Sequence, residues 1–313
     1  MAAIEILGLA KTYQVGFWRK RPKCALHPLH LQVEEGEIFG FLGPNGAGKT
    51  TTLKMLMGLV YPSAGSARIL GCEINDARMK AQIGFLPEQP YFYDYLTAAE
   101  LLEYYAQLSG VAAGERKPRV NEVLARVGLK DAGGMQLRKF SKGMLQRAGI
   151  AQAILHNPKI LFFDEPMSGL DPIGRREVRD LMEQLKNAGK TVFFSTHILS
   201  DAEALCDRVA IIHQGELRGV GAVEDLTSSV EGRVEVVWQG NSVTAGLKAL
   251  VPECRVTGDT VRAIVPEASQ DAFIDALRRE RLHLVSVTPL RTSLEEYFVQ
   301  KLRPAEAAAG VRS

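Results

Sequence analysis

The chain has 313 residues, of which 46% are hydrophobic and 24% are charged, a composition typical of a globular protein with a substantial core. The formal net charge of +2 excludes a strongly basic protein and offers no electrostatic argument for binding to nucleic acid or an anionic membrane. No segment approaches the roughly 18 apolar residues of a membrane-spanning helix, and no signal peptide is expected. The cysteines lack metal-ligand spacing, so reduced thiols in the cytosol are expected.

The first predicted elements are short strands over Ala3–Leu7, Leu29–Val33 and Glu37–Leu42. Residues 43–50 then fit the phosphate-binding pattern G-x-x-x-x-G-K-[ST], between the last of these strands and a predicted helix. Glycine lets backbone N–H groups turn towards phosphates, and the helix N-terminus favours negative charge. The candidate nucleotide-binding residues of this segment are Gly43, Pro44, Asn45, Gly46, Ala47, Gly48, Lys49, Thr50 and Thr51.

Two of these residues have more specific expected roles. Lys49 is expected to reach the β- and γ-phosphates of a nucleoside triphosphate, and the Thr50 hydroxyl is expected to ligate Mg²⁺.

The middle of the chain combines strands with helices. Strands are predicted over Ser66–Ile69 and Ile83–Leu86, and the apolar spacing over 97–129 is helical. Thr97 and Glu100 predict a capping box at the start of this helical region.

A further helix is predicted over 142–156, with Ser141 as its N-cap residue. Ser141, Gly143 and the helix N-terminus together have the chemistry of an anion site. The local sequence by itself favours a simple helix cap.

From residue 160 onward, strands and helices alternate, which indicates a parallel sheet with crossover helices. The predicted elements are strand Ile160–Phe163, helix Gly174–Asn187, strand Thr191–Ser195, helix Ser200–Leu205 and strand Arg208–His213.

The first strand leads into Asp164 and Glu165. Asp164 is expected in the shell of Mg²⁺, because α/β sheets bind ligands at the carboxyl ends of their strands. Glu165 is expected to accept a proton from a water that attacks the γ-phosphate, or to orient that water.

The pattern changes at about residue 230 to that of a small α+β unit. Its predicted strands cover Val234–Trp238, 254–257, 260–265 and Leu282–Thr288, and its predicted helices cover 243–250, Gln270–Arg281 and Ser293–Leu302. We therefore predict a first domain over 1–228 with a helical subdomain at about 90–157, an accessory domain over 229–303, and a disordered tail over 304–313.

In their order, these segments closely resemble the nucleotide-binding subunit of an ATP-binding cassette (ABC) transporter over about residues 2–225. On that resemblance, 43–50 is the Walker A loop, Ile160–Glu165 the Walker B strand, Ser141–Gln146 the ABC signature and Ser168–Asp171 the D-loop. The resemblance implies an α/β fold of the P-loop NTPase class, with a mixed sheet and a helical subdomain. It also implies a protein that binds ATP and Mg²⁺ and hydrolyses ATP.

Individual roles follow from the same resemblance. His197 is similar to the switch histidine that senses the γ-phosphate, so Glu165 and His197 are the implied catalytic residues. Asp171 of the D-loop is an implied nucleotide contact. Tyr13 is similar to the aromatic residue that stacks on adenine, with a core tyrosine at a strand end as the alternative.

Two segments depart from the family's pattern. The usual signature Leu-Ser-Gly-Gly-Gln is replaced by residues 140–144, Phe-Ser-Lys-Gly-Met, which is similar to a variant of drug- and ion-exporter ATPases. The position of the Q-loop glutamine holds Glu88, and Gln89 follows one residue later. Both are candidate nucleotide contacts, and the sequence does not decide which one reaches the metal. The candidate Mg²⁺ ligands are thus Thr50, Asp164 and Glu88.

The resemblance implies that two copies pack head to tail around two ATP molecules, since Ser141 and Gly143 complete a site only by facing the P-loop of a second copy. It implies a separate integral membrane permease as partner and no nucleic acid. The expected location is the cytoplasmic face of the cell membrane, where the permease holds the subunit, and the expected transport is export. The aromatic segment Pro90–Leu96 fits a permease-docking surface or, equally, a satellite of the core.

A soluble ABC ATPase of translation or DNA repair is the alternative function. Translation-type members carry two cassettes in one chain, and repair-type members insert a long coiled coil, for which this sequence has no heptads. A P-loop kinase fits less well, because the Asp-Glu pair and the Ser-x-Gly helix start suit hydrolysis. Two features are weaker. The basic segment Phe17–Lys23 is expected to be a solvated loop, with a surface against lipid headgroups as the alternative. The unit over 230–302 resembles the small C-terminal domain of drug- and ion-exporter ATPases through its last segment, Thr292–Phe298.

Overall fold

The computed structural model describes residues 2–16, 19–227, 229–251, 254–291 and 293–302. The chain divides into two compact units. The first is Met1–Val223 with Lys301–Ser313, and the second is Glu224–Gln300. The predicted tail and the aromatic residues Phe17 and Trp18 lie outside the described residues. Among the described helices, none has the length and apolar character needed to cross a membrane.

The elements have the following bounds. The strands are β1 (Ala2–Val15), β2 (Arg21–Glu34), β3 (Ile38–Leu42), β4 (Ala64–Ile69), β5 (Cys72–Glu73), β6 (Ile83–Leu86), β7 (Ile160–Asp164), β8 (Thr191–Thr196), β9 (Arg208–His213), β10 (Glu216–Ala222), β11 (Ser229–Gln239), β12 (Cys254–Thr257), β13 (Thr260–Pro266) and β14 (Leu284–Arg291). The helices are α1 (Lys49–Leu56), α2 (Ala77–Lys80), α3 (Ala98–Leu108), α4 (Ala113–Arg126), α5 (Lys142–Ile154), α6 (Pro172–Asn187), α7 (Leu199–Leu205), α8 (Val223–Leu226), α9 (Ala245–Leu250), α10 (Gln270–Arg279) and α11 (Leu294–Leu302).

Strands β1 and β2 pair antiparallel within a sheet of order β2-β1-β4-β5. Both run for 14 residues, so the predicted strands over Ala3–Leu7 and Leu29–Val33 were too short. The prediction followed the apolar alternation, which fades after Leu9, whereas the pairing continues until Val15 lies opposite Arg21. The second half of β1 and the first half of β2 are largely exposed. Backbone hydrogen bonds extend the two strands there, but their side chains are not buried and the sequence therefore lacks an apolar pattern.

The central sheet has the strand order β10-β9-β3-β8-β7-β6. Its strands pair in parallel except β10, which runs antiparallel to β9. This arrangement confirms the predicted α/β fold with a mixed sheet. Strand β10 was not predicted, because Gly219 and Gly221 give it a low strand propensity. Since parallel strands carry their carboxyl ends at one edge, the segments after β3, β8 and β7 are neighbours, with that of β8 in the middle.

Apolar side chains bury both faces of the central sheet. On the face towards β1, β2 and α1, the ring of Phe193 lies at the centre of an aromatic cluster. Its centroid is 5.5 Å from that of Phe39, 5.6 Å from that of Phe41 and 5.7 Å from that of Phe162. Because these residues come from β3, β7 and β8, the cluster holds together the three strands that lead into the predicted site.

Helices α3, α4, α5 and α6 contribute to the core on the opposite face. The predicted helical region 97–129 contains two helices, α3 and α4. The predicted capping box is present, since the N–H of Thr97 donates to Oε2 of Glu100 at 2.8 Å and the N–H of Glu100 donates to Oγ1 of Thr97 at 3.2 Å. Ser141 caps α5 as predicted and accepts a hydrogen bond from the N–H of Met144 at 3.3 Å.

The second unit contains an antiparallel sheet of order β12-β13-β11-β14. Its strands and helices follow the predicted order. Helices α9 and α10 contribute to its core, where the rings of Trp238 and Phe273 are 5.6 Å apart.

Replacing Phe193 by alanine is expected to lower the free energy of unfolding by about 3–5 kcal/mol, because the cavity would lie among three other buried rings. Urea titration followed by circular dichroism would measure the change. The matched control is Tyr61→Ala, since Tyr61 is 74% exposed and its loss should change stability by no more than about 0.5 kcal/mol. Equal stability of the two variants would contradict the central role of the cluster.

Candidate functional site

The loop between β3 and α1 encloses the amino group of Lys49. Gly48 has a φ of 108°, and a Cβ there would lie 2.5 Å from the carbonyl oxygen of Ala25, so this position requires glycine. Lys49 is 5% exposed, and its Nζ donates to the carbonyl oxygens of Gly43 at 2.7 Å and Pro44 at 3.3 Å. The ammonium and the N-terminus of α1 are therefore held together, and both favour an anion.

Glu165 follows β7 and joins Lys49 to His197. Its Oε1 lies 3.0 Å from Nζ of Lys49, and its Oε2 lies 2.8 Å from Nδ1 of His197. Glu165 is 5% exposed, so its ion pair with Lys49 is largely shielded from water. Two charges interact more strongly in such a buried environment than they do in water. Its φ of 51° lies in the left-handed region, a costly conformation for a residue with a side chain.

Ser195, near the end of β8, supports both acidic residues and was missed by the sequence analysis. Its Oγ donates to Oδ1 of Asp164 at 2.6 Å and accepts from the N–H of Glu165 at 3.1 Å. Asp164 and Ser195 are partners in the parallel pairing of β7 and β8. The available signal was a hydroxyl in an apolar strand, two residues before His197.

The P-loop cleft is a depression of about 550 Å³ beside this cluster. Its lining residues are Tyr13, Val15, Lys23, Cys24, Ala25, Asn45, Gly46, Gly48, Lys49, Thr50, Thr51, Glu88 and Glu165. The cleft thus brings together the predicted residues of β1, the loop after β3 and the segment after β6 with Glu165. Lys23 and Cys24 of β2 are lining residues that the sequence analysis did not identify, because their place opposite β1 depends on strand pairing.

Three predicted residues of uncertain placement can now be located. Tyr13 is partly exposed and lines the P-loop cleft, with Nζ of Lys11 5.0 Å from its ring centroid, so it is not a core tyrosine. Glu88 also lines the cleft, whereas the exposed Gln89 does not belong to the lining.

The predicted signature and D-loop residues lie outside the P-loop cleft of their own chain. Ser141 caps α5, and Oδ1 of Asp171 caps α6 by accepting from the N–H of Gly174 at 2.8 Å. These two regions contact each other, because a Cβ at Gly169 would collide with Nζ of Lys142. The structure of one chain therefore gathers the P-loop, Glu165 and His197 at one place and the signature and D-loop at another.

The donor set near the P-loop suits Mg²⁺ bound together with phosphates. Asp164 is 3% exposed, so its carboxylate is buried with Ser195 as a hydrogen-bond donor. Within the described part of the chain, no group of three or more His, Cys, Asp or Glu residues could hold a metal ion. Mg²⁺ commonly uses one or two carboxylates, with substrate phosphates and water as the remaining ligands, so this sparse acidic set fits that ion.

Parallel strands, a glycine-rich loop at a helix N-terminus and buried acidic residues at the end of a strand two places away in the sheet define a P-loop nucleoside triphosphatase. A family model described as ABC transporter matches residues 26–168. An uncharacterised ABC transporter ATP-binding protein of Synechocystis is 43% identical over 304 residues, which cover 96% of this chain and 84% of that protein. The chain belongs to the ABC transporter family as an ATP-binding subunit.

Other relatives support the same assignment. The bacitracin transport ATP-binding protein BcrA of Bacillus licheniformis is 38% identical, over 87% of this chain and 90% of that protein. A dimeric ATP-binding cassette in a post-hydrolysis state, bound to ADP and Pi, is 28% identical with a TM-score of 0.64, over 70% of this chain and 98% of that chain. The protein is thus an ATPase subunit of a transporter rather than a soluble ABC ATPase of translation or DNA repair.

Replacing Ser195 by alanine is expected to lower ATP turnover about tenfold and to raise the Mg²⁺ concentration needed for half-maximal rate, because Asp164 would lose its orienting donor. Steady-state phosphate release over a Mg²⁺ titration would measure both effects. Ser200→Ala is the matched control, since Ser200 is exposed on α7. Unchanged Mg²⁺ dependence in the Ser195 variant would contradict the supporting role.

Proposed function

We propose that ATP binds in the P-loop cleft with its phosphates against the loop 43–50 and its adenine near Tyr13, and that Glu165 is the general base. The observation that carries this proposal is the contact chain of Lys49, Glu165 and His197, with distances of 3.0 and 2.8 Å. It joins a phosphate-binding cation, a carboxylate and an imidazole at one edge of the sheet.

The chemistry follows from these contacts. Lys49 now pairs with Glu165 and with carbonyl oxygens of its own loop. A bound triphosphate would offer Lys49 stronger anionic partners, and the Glu165 carboxylate would then be free to accept a proton from the attacking water. His197, held by the other carboxylate oxygen, would orient Glu165 and contact the γ-phosphate.

Thr50, Asp164 and Glu88 are the residues that would hold Mg²⁺. The ion would supply positive charge that offsets the charge of the phosphates. Thr51, Asn45 and the remaining loop residues would contact the phosphates through their backbone and side chains. Gln89 would contact the nucleotide from a position outside the lining of the cleft.

We also propose that two copies form the working ATPase. Ser141, Gly143 and Asp171 lie outside the P-loop cleft of their own chain, which supports their contacting ATP bound to a second copy. A two-fold symmetric pair would then contain two equivalent sites. The post-hydrolysis cassette that resembles this chain is itself a dimer with ADP and Pi.

The partner in the membrane would be a separate permease, and transport would be export. The name of the similar bacitracin transport protein supports a transport role of this kind. We place the subunit in the cytoplasm, at the inner face of the cell membrane through its permease. The docking surface would be the aromatic cluster of Tyr93, Tyr95 and Tyr104. The ring centroid of Tyr93 lies 6.0 Å from that of Tyr95 and 6.3 Å from that of Tyr104. Tyr93 is 53% exposed and Tyr95 is 61% exposed.

The domain division at 228/229 is part of the same proposal. The accessory domain 229–303 would stabilise the dimer or regulate it. Its removal would then change dimerisation or turnover.

Replacing Lys49 by alanine is expected to weaken ATP binding about 10- to 100-fold, because charge-assisted hydrogen bonds contribute roughly 1.5–3 kcal/mol each. Calorimetric titration with ATP would measure the affinity. Lys54→Ala is the control, since Lys54 is an exposed lysine of the same helix. Wild-type affinity and turnover in the Lys49 variant would contradict its role with the phosphates.

Replacing Glu165 by glutamine is expected to retain ATP binding but to lower hydrolysis on the order of 100-fold or more, the usual contribution of a general base. The variant should accumulate as an ATP-bound dimer, which size-exclusion chromatography with light scattering would detect. Glu183→Gln, at an exposed position of α6, is the control. Turnover at the wild-type rate would reject Glu165 as the base.

A further inference from the structure

A buried acidic residue lies behind the candidate site and is not used by the proposed chemistry. Asp201, in the first turn of α7, is 3% exposed. Two arginines of α6 approach it: the NH1 group of Arg179 lies 3.4 Å from Oδ1, and the NH1 group of Arg175 lies 3.9 Å from Oδ2. Among the residues that the structure describes, none forms a hydrogen bond with Oδ2. The Asp201 carboxylate is therefore buried beside two arginines, but neither of its oxygens has a close contact with a guanidinium group.

The two arginines differ in what else they contact. Nε of Arg175 also donates to the carbonyl oxygen of Leu170 at 3.3 Å. Leu170 belongs to the loop 168–171 before α6, the predicted D-loop. Arg175 thus contacts both this loop and Asp201, whereas the ion-pair partner found for Arg179 is Asp201.

Asp201 lies a short distance along the chain from His197. Helix α7 begins at Leu199, and the N–H of Ile198 donates to Oγ1 of Thr196 at 3.0 Å, so the backbone on either side of His197 is fixed. A displacement of Asp201 would move the start of α7 and with it the imidazole that contacts Glu165. Contacts join the loop 168–171 to Asp201 through Arg175, and the chain itself joins Asp201 to His197, four residues earlier.

We propose that Arg175 and Asp201 are positioning residues that couple the loop 168–171 to His197. The inference rests on the proposed function, because it takes His197 and Glu165 as the catalytic pair and the loop 168–171 as part of the surface that meets a second copy. When the second copy contacts this loop, Arg175 transmits the change to Asp201 and sets the position of His197. ATP hydrolysis thereby depends on the presence of the partner subunit.

Two features distinguish this role from stabilisation of the fold. A buried ion pair is a weak source of stability, and apolar residues of similar size usually stabilise a fold as well or better. The carboxylate–guanidinium distances of 3.4 and 3.9 Å also exceed those of a close charge-assisted hydrogen bond. The contacts can therefore tighten when the loop or α7 shifts.

The test uses the full-length chain with the substitutions Asp201→Asn and Arg175→Lys, and with Arg179→Lys as the matched control. Steady-state phosphate release over a range of ATP concentrations gives kcat, KM and the Hill coefficient. Asp201→Asn and Arg175→Lys should lower kcat about tenfold and reduce the Hill coefficient towards one, with KM within about twofold of the wild type. Arg179→Lys should keep kcat within about twofold, because Arg179 does not connect Asp201 to Leu170 in the structure.

The control is selective because Arg179 has the shorter contact with Asp201. If support of Asp201 were the whole role, Arg179→Lys would be at least as harmful as Arg175→Lys, and that result would overturn the coupling. Unchanged kcat and Hill coefficient in Arg175→Lys would also overturn it. Thermal unfolding identifies any variant that fails to fold. If Asp201→Asn does, Arg175→Lys, which keeps the positive charge, decides the question.

Glu165→Gln serves as the reference in the same assay. If Glu165→Gln is inactive while Asp201→Asn and Arg175→Lys match the wild type, the coupling is wrong and the proposed function stands. If Glu165→Gln turns over ATP at the wild-type rate, the proposed function is wrong, and the coupling fails with it.

Discussion

The parallel pairing of β3, β8 and β7 is the constraint on which the site depends. It places the ends of three strands that are distant in the sequence at one edge of the sheet. The P-loop follows β3, His197 follows β8 and Glu165 follows β7. The aromatic cluster around Phe193 packs these strands together from one face. The same buried rings therefore stabilise the register of the sheet and the positions of the site residues that follow its strands.

Within this frame, Glu165 is the residue at which the main contacts meet. Its two carboxylate oxygens contact Lys49 and His197, and its backbone N–H donates to Ser195. Because Lys49 is buried, separating it from Glu165 requires another anion in the same place. In the proposed function, the Glu165 carboxylate and the phosphates of ATP are therefore competing partners of one ammonium, and nucleotide binding would release Glu165 to act as the general base.

The second half of the proposed ATP site is located differently. The predicted signature residue Ser141 caps α5, and Asp171, the last residue of the loop 168–171, caps α6. Both segments are therefore positioned by helix caps rather than by the ends of the sheet. The contacts of Arg175 connect the loop 168–171 with Asp201 in the first turn of α7, the helix that follows His197. In the proposed coupling, the arrival of a second copy would change the orientation of His197 and Glu165 through this connection, although the two halves of the site are not adjacent in one chain.

The sequence by itself determined the class of fold. It also identified the P-loop and the acidic pair Asp164-Glu165 as candidate site segments, because each lies where a strand ends, and it identified His197 through the resemblance to ABC ATPases. It also determined the caps at Thr97 and Ser141, which depend on residues only three positions apart. Only the tertiary structure decided the hydrogen bonds of Ser195, the place of Lys23 in the lining of the cleft and the choice of Glu88 over Gln89 as a lining residue. Those placements depend on which strands pair and in which register, and the hydrogen bonds that fix a register join residues far apart in the chain.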